Sequence, residues 1–254
     1  MMLGMMLLHG QMAVITGAAS PRGIGKATAR LFADHGARVA ILDLHDTAST
    51  EAARDLGDGH RGYLCDVSQR AQCQATIGQV IQDFGQIDIL VNIAGITDPS
   101  AILEITESDY DAVMDVNLKG TFCMSQAVIP HFQQRKSGSI ICMSSVSARR
   151  GGGIFGGSHY SAAKAGTLGL ARAMARELGP YNIRVNAVTP GLIQTDITAG
   201  KLTQDRKQAI IQSIPLGRLG EPLDVARVCL FLASELSGYI TGAVVDVNGG
   251  MHIH

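Results

Sequence analysis

The chain has 254 residues, 46% of them apolar, with 30 glycines and a formal net charge of -1. That length can bury a full core as one large α/β domain or two small ones. With balanced charge and no basic run longer than Arg149-Arg150, an electrostatic footprint for nucleic acid is excluded, and no stretch reaches the ~18 apolar residues of a membrane span. The opening segment, MMLGMMLLHGQM, is apolar but has no positive n-region and no small-residue cleavage site. It runs into the first strand and reads as an overlong start. Apolar runs predict strands over 12–16, 38–43, 62–65, 87–93, 138–144, 183–188 and 242–247. Helical periodicity predicts helices near 24–36, 47–56, 68–84, 107–135, 158–179 and 221–234. Runs such as IDILVNIAG are apolar on both faces, as parallel strands covered by helices must be.

This alternation predicts an α/β fold, a doubly wound (Rossmann) seven-stranded parallel sheet flanked by helices. It reads as a single domain over 1–254, without an internal repeat or low-complexity linker. After the sixth strand the chain runs from Gly191 to Glu221 without another strand, carrying a helical pattern near 198–213. An insertion leaving the carboxyl ends of such a sheet is placed to form a substrate lid, here about 192–220. The five cysteines are odd in number and lack CxxC spacing, which predicts buried reduced thiols in a cytoplasmic protein. No histidine pair has zinc-type spacing, so no metal is expected, and His252 and His254 read as an exposed or interface tail.

Two segments carry chemistry. TGAASPRGIG, residues 16–25, is a glycine-rich turn between a strand and a helix, where backbone N–H groups and the helix dipole can face a pyrophosphate. The next strand ends in Asp43, whose carboxylate can bond both ribose hydroxyls of an adenosine half. In HYSAAKAG, Tyr160 and Lys164 stand four apart on one helix face. A free tyrosine is a poor base at neutral pH. A lysine ammonium at ~4 Å in an effective dielectric of ~20 favours the phenolate by ~4 kcal/mol, about three pKa units. The pair therefore predicts an acid/base poised near neutrality.

With TGAAS..GIG, Cys65-Asp66-Val67, Asn92.Ala94-Gly95, Asn117, the serines of ICMSSVS, YSAAK and Pro190-Gly191 in order, the sequence resembles the short-chain dehydrogenase/reductase family from about residue 8 to 250. The resemblance implies a nicotinamide-dependent oxidoreductase acting on a small-molecule alcohol or ketone. Tyr160 would exchange the proton, Lys164 would depress the tyrosine pKa and bond the nicotinamide ribose, and Asn117 would hold a water linking Lys164 to a proton relay. It implies cofactor contacts from Gly17, Gly23, Ile24, Gly25, Asp43, Asp66, Val67, Asn92, Ala94, Gly95, Pro190, Ile193 and Thr195, besides Tyr160 and Lys164. Ser20 and Arg22 add contacts from an enlarged loop. Ser145, Ser147, Phe155, His159 and Leu192 border the substrate. The family also implies a homotetramer, with the helices around 107–135 and 158–179 and the last strand at its interfaces.

Three features depart from the family pattern. The turn holds five residues between Gly17 and Gly23 where three are usual, and the family's second Asn is Ile93. The catalytic serine usually lies thirteen residues before the tyrosine, which is Ser147. Counting from the end of its strand gives Ser145, with the glycine-rich RRGGGIFGG absorbed as a loop. We favour Ser145. Asp43 would repel the 2'-phosphate of NADP and outweigh Arg22 on the lengthened loop, so NAD is the expected cofactor. The competing readings are an NADPH-dependent 3-oxoacyl-carrier-protein reductase and, in a different class, a dinucleotide-binding regulator without catalysis.

Overall fold

Every apolar run becomes a strand of one sheet in the computed structural model, which describes residues 6–196 and 203–253. The strands are β1 (Met12–Thr16), β2 (Arg38–Asp43), β3 (Arg61–Leu64), β4 (Ile89–Asn92), β5 (Gly138–Met143), β6 (Ile183–Pro190) and β7 (Val244–Val247). Their order is β3-β2-β1-β4-β5-β6-β7, and every pairing is parallel. The period-2 alternation of side chains sorts the strand residues onto two faces. Met12, Val14, Leu90, Ile140 and Val185 lie in one core cluster, and Ala13, Ile15, Ile89, Val91 and Ile141 lie in the other.

The first face is covered by α3 (Arg70–Phe84), α5 (Gly120–Arg135) and α7 (Ser158–Leu178). The second is covered by α1 (Ile24–Asp34), α2 (Asp46–Arg54) and α9 (Pro222–Ala233). All five cysteines are free and buried. Among the described residues no helix is long and apolar enough to cross a membrane.

The chain winds outward from β1 through β2 to β3, then returns to pair β4 with β1, in register Thr16↔Asn92. This reversal of winding direction opens a crevice beyond the carboxyl ends of β1 and β4, the place where such sheets take ligands. The predicted helix over 107–135 is broken in two. It consists of α4 (Glu107–Met114), opened by a Thr106–Asp109 capping box, and α5, joined by a π-helical turn over Asp115–Lys119. Short π-helical turns recur at functional sites, and periodicity alone does not reveal them. A short α6 (Ser147–Arg150) follows β5, and α8 (Gln204–Gln212) occupies the insertion. The expected helix from 198 and lid over 192–220 fall partly on 197–202, outside the described residues, as do residues 1–5 of the opening segment and His254. The two ends of the insertion are stitched together by Gln194 N–H to Gly220 O (2.8 Å) and Gly220 N–H to Leu192 O (3.0 Å).

Candidate active site

The glycine turn is built by close approach. Gly17 has φ +65°, and a Cβ on it would lie 2.7 Å from the Ala94 Cα. A Cβ on Gly25 would lie 2.3 Å from the Gly17 carbonyl oxygen, so the helix can start against the turn only if that position is bare. Thr16, at the end of β1, accepts hydrogen bonds at Oγ1 from Ile93 N (3.0 Å) and Ala94 N (3.1 Å), tying the turn to the β4 exit. Asp43 accepts from Ala19 N at Oδ2 (3.0 Å) and from Leu44 N at Oδ1 (2.8 Å), which fixes its carboxylate beside the turn.

The enlarged loop is tied down. The Ser20 hydroxyl and the Arg22 N–H donate to Asp196 Oδ2 at 2.7 and 3.0 Å, and Arg22 Nε donates to Oδ1 at 2.7 Å. These bonds hold the Asp196 carboxyl down to about 2. Asp196 was not among the sequence candidates. A contact across 174 positions leaves no local signal.

At the end of β5 the chain places Ser144 and Ser145 side by side. Ser144 Oγ donates to the Lys164 carbonyl (2.7 Å), pinning α7 to the strand. Ser145 lies close enough to the Tyr160 phenol to lower its pKa, and its Oγ accepts the N–H of Ser147 (3.1 Å). Ser145, at the strand end, is therefore the serine that meets the tyrosine, and Ser147 begins α6. The long glycine loop is accommodated by left-handed Gly151 and Gly152, and Gly152 N–H donates to Ser161 Oγ (2.7 Å). Gly156 packs beneath the Tyr160 ring, where a Cβ would lie 2.3 Å from Cδ1.

Lys164 is 4% exposed and donates from Nζ to the Met143 carbonyl (2.9 Å). Burial brings it down to about 8. Here the electrostatic expectation is reversed. Nζ sits 5.8 Å from the centre of the Tyr160 ring and is hydrogen-bonded to the Met143 carbonyl. Burial pushes the Tyr160 phenol above its usual 10, opposed by the neighbouring Ser145 hydroxyl. Asn117 is fully buried in the π-helical turn, and its Nδ2 donates to Ile96 O and Val113 O, both at 2.9 Å. Its Oδ1 has no partner and faces Gly95, where an added Cβ would lie 2.7 Å from Oδ1 and 3.4 Å from Lys164 Nζ. A buried acceptor left open beside a buried ammonium is a seat for a water or ligand donor.

These groups share the wall of one cavity of about 680 Å³. Of the sequence candidates it is lined by Gly17, Ser20, Gly23, Ile24, Asp43, Asp66, Val67, Ala94, Gly95, Asn117, Ser145, Ser147, Phe155, Tyr160, Lys164, Pro190, Leu192, Ile193 and Thr195. Four candidates are elsewhere. Gly25 is covered by the Gly17–Ala18 backbone, and Arg22 is turned to Asp196. Asn92 is buried behind the strand end, with Nδ2 on Ser125 Oγ (3.2 Å). His159, expected at the substrate, is 3% exposed and sits with its ring against Gly157, beside the 98–100 loop, because neighbouring positions on a helix point apart. The wall also includes Ile96, Arg150, Ile210 and Met251, which the sequence reading did not single out.

Comparison with known proteins agrees with this geometry. A family model described as enoyl-(acyl carrier protein) reductase matches residues 17–252. An uncharacterized short-chain type dehydrogenase/reductase of Sinorhizobium fredii is 58% identical over 253 residues, covering 98% of this chain and 100% of the relative. A 3-oxoacyl-[acyl-carrier-protein] reductase of Thermotoga maritima is 43% identical, with 98% and 100% covered. The crystal structure of a short-chain type dehydrogenase/reductase from Mycobacterium marinum superposes with a TM-score of 0.90 at 34% identity, covering 98% of both chains. The fold and site define an oxidoreductase acting on CH–OH and keto groups. The chain belongs to the short-chain dehydrogenase/reductase family.

Proposed function

We propose that the protein interconverts a secondary alcohol and its ketone, with NAD preferred over NADP and Tyr160 as the acid/base. The observation that carries this reading is that Ser145, Tyr160, Lys164 and Asn117 share the wall of a cavity that also holds Asp43 and the glycine turn. The residues suit a dinucleotide. Gly17 and Gly23 line the cavity without side chains and leave backbone open to a pyrophosphate, Asp43 offers acceptors to a ribose diol, and the Asn117 Oδ1 lacks a donor. When bound, the nicotinamide supplies the hydride acceptor or donor. Tyr160 holds the proton at its phenol oxygen, and Ser145 orients the substrate oxygen toward it. With its pKa raised, the phenol is protonated at neutral pH, which suits donation to a carbonyl, whereas taking a proton from an alcohol is favoured at higher pH.

The test is to follow reduced nicotinamide over secondary alcohols, polyols and 3-hydroxyacyl thioesters, with NAD and NADP in parallel. Turnover of a secondary alcohol with a higher kcat/KM for NAD supports the reading. No turnover with any substrate, or a preference for NADP, overturns it. The second reading, NADPH-dependent reduction of 3-oxoacyl thioesters, is favoured by the name of the Thermotoga relative, and the thioester arm with NADPH tests it. The half-exposed Tyr110 and Phe122 on α4 and α5 support a homotetramer assembled through these helices, which light scattering checks. We place the protein in the cytoplasm, on its five free cysteines.

A further inference from the structure

The stretched glycine turn contains a cation that the fold has put out of use. Arg22 leaves the same turn whose Ala19 N–H bonds the Asp43 carboxylate. Its guanidinium is instead held across the mouth of the cavity by Asp196, at the root of the insertion. Asp196 takes three donors from the turn: the Ser20 hydroxyl, the Arg22 N–H and Arg22 Nε. A guanidinium is the side chain best suited to a phosphate monoester, and an adenosine ribose beside Asp43 differs between NAD and NADP by one such group. Whether Arg22 is committed elsewhere therefore bears on cofactor choice.

We propose that Asp196 is a positioning residue for cofactor selectivity, keeping Arg22 paired across the cavity so that Asp43 alone faces the adenosine ribose. This rests on the NAD preference proposed above. Removal of the Asp196 charge frees Arg22 either to meet a 2'-phosphate directly or to pair with Asp43 and cancel its repulsion. Both consequences favour NADP relative to NAD. The pair is partly solvated, with side-chain exposures of 66% for Arg22 and 37% for Asp196. The shift it controls is therefore of the size of an exposed ion pair, about fivefold, rather than a full reversal.

The test measures dissociation constants of NAD and NADP by calorimetry on the wild-type protein, Asp196→Asn, Arg22→Ala and the double variant. The NAD:NADP affinity ratio is read together with Tm. Asp196→Asn is expected to shift the ratio about fivefold toward NADP, and removing Arg22 in the Asp196→Asn background is expected to reverse that shift. A merely structural role for Asp196 would weaken both cofactors alike, leave the ratio unmoved, and overturn the proposal. So would a shift that survives the loss of Arg22. A wild-type preference for NADP defeats the reading beneath it, and is distinguishable because it appears before any substitution is made.

Discussion

Gly95 is the residue through which the geometry of the Asn117–Lys164 pair can be perturbed most selectively. It needs no left-handed backbone, so Gly95→Ala tests space alone. The added Cβ would lie 2.7 Å from Asn117 Oδ1 and 3.4 Å from Lys164 Nζ. To restore an ordinary contact Oδ1 must retreat by about 0.5 Å, yet Asn117 is fully buried and held by two 2.9 Å hydrogen bonds. Overpacking of this kind costs about 1–3 kcal/mol, which for a protein of this size lowers Tm by roughly 3–10 °C. Displacing catalytic groups by a fraction of an ångström should cost about tenfold in kcat, since ~1 Å costs about a hundredfold. The companion variant is Gly78→Ala, in α3 with nothing within 4 Å of its added Cβ, which should stabilise by about 0.5–1 kcal/mol. The assays are thermal unfolding and steady-state kinetics on both proteins. A Gly95→Ala protein with unchanged Tm and kcat within about twofold of wild type would refute the reasoning.

Three further outcomes are expected. Ser145→Ala should lower kcat by about a hundredfold or more, with a much smaller loss for Ser147→Ala, because the Ser145 hydroxyl acts on the Tyr160 phenol; equal losses would undo that distinction. The ratio of alcohol oxidation to carbonyl reduction should rise with pH above neutrality, because burial raises the Tyr160 pKa; an oxidation limb already flat at pH ~7 would contradict this. Lys164 is held to about 8 by burial against 10.5 when unfolded, so the unfolded chain binds the extra proton between those values. The wild-type protein should then gain stability relative to Lys164→Met as pH rises through that window. Chemical denaturation at several pH values reads the difference, and a gap that stays constant would rule out a buried, depressed lysine.

The sheet was legible because its central strands, such as β1 and β4, are apolar on both faces, the pattern of a helix-covered parallel sheet. The glycine turn, Asp43, and the Tyr160–Lys164 spacing were equally open to local reading, since each is a short-range requirement of backbone or helix geometry. The place of Ser145 near the tyrosine could be read because a strand end is fixed by its neighbours while a glycine loop stretches. What the sequence hid depends on contacts between distant segments. The i,i+4 spacing put Tyr160 and Lys164 on one face but said nothing of the Met143 carbonyl, which accepts from the ammonium. The Arg22–Asp196 pair joins a turn to an insertion, and the burial of His159 depends on the 98–100 loop packed beside it.

The central claim is that the Tyr160 phenol carries the proton in the reaction. Its most direct test is Tyr160→Phe, which keeps the ring on Gly156 and removes only the hydroxyl, assayed for turnover and for NAD affinity on the same preparation. Tyr160→Phe should lower kcat by about 10²–10⁴-fold with NAD binding retained. Oxidation at the wild-type rate would contradict it.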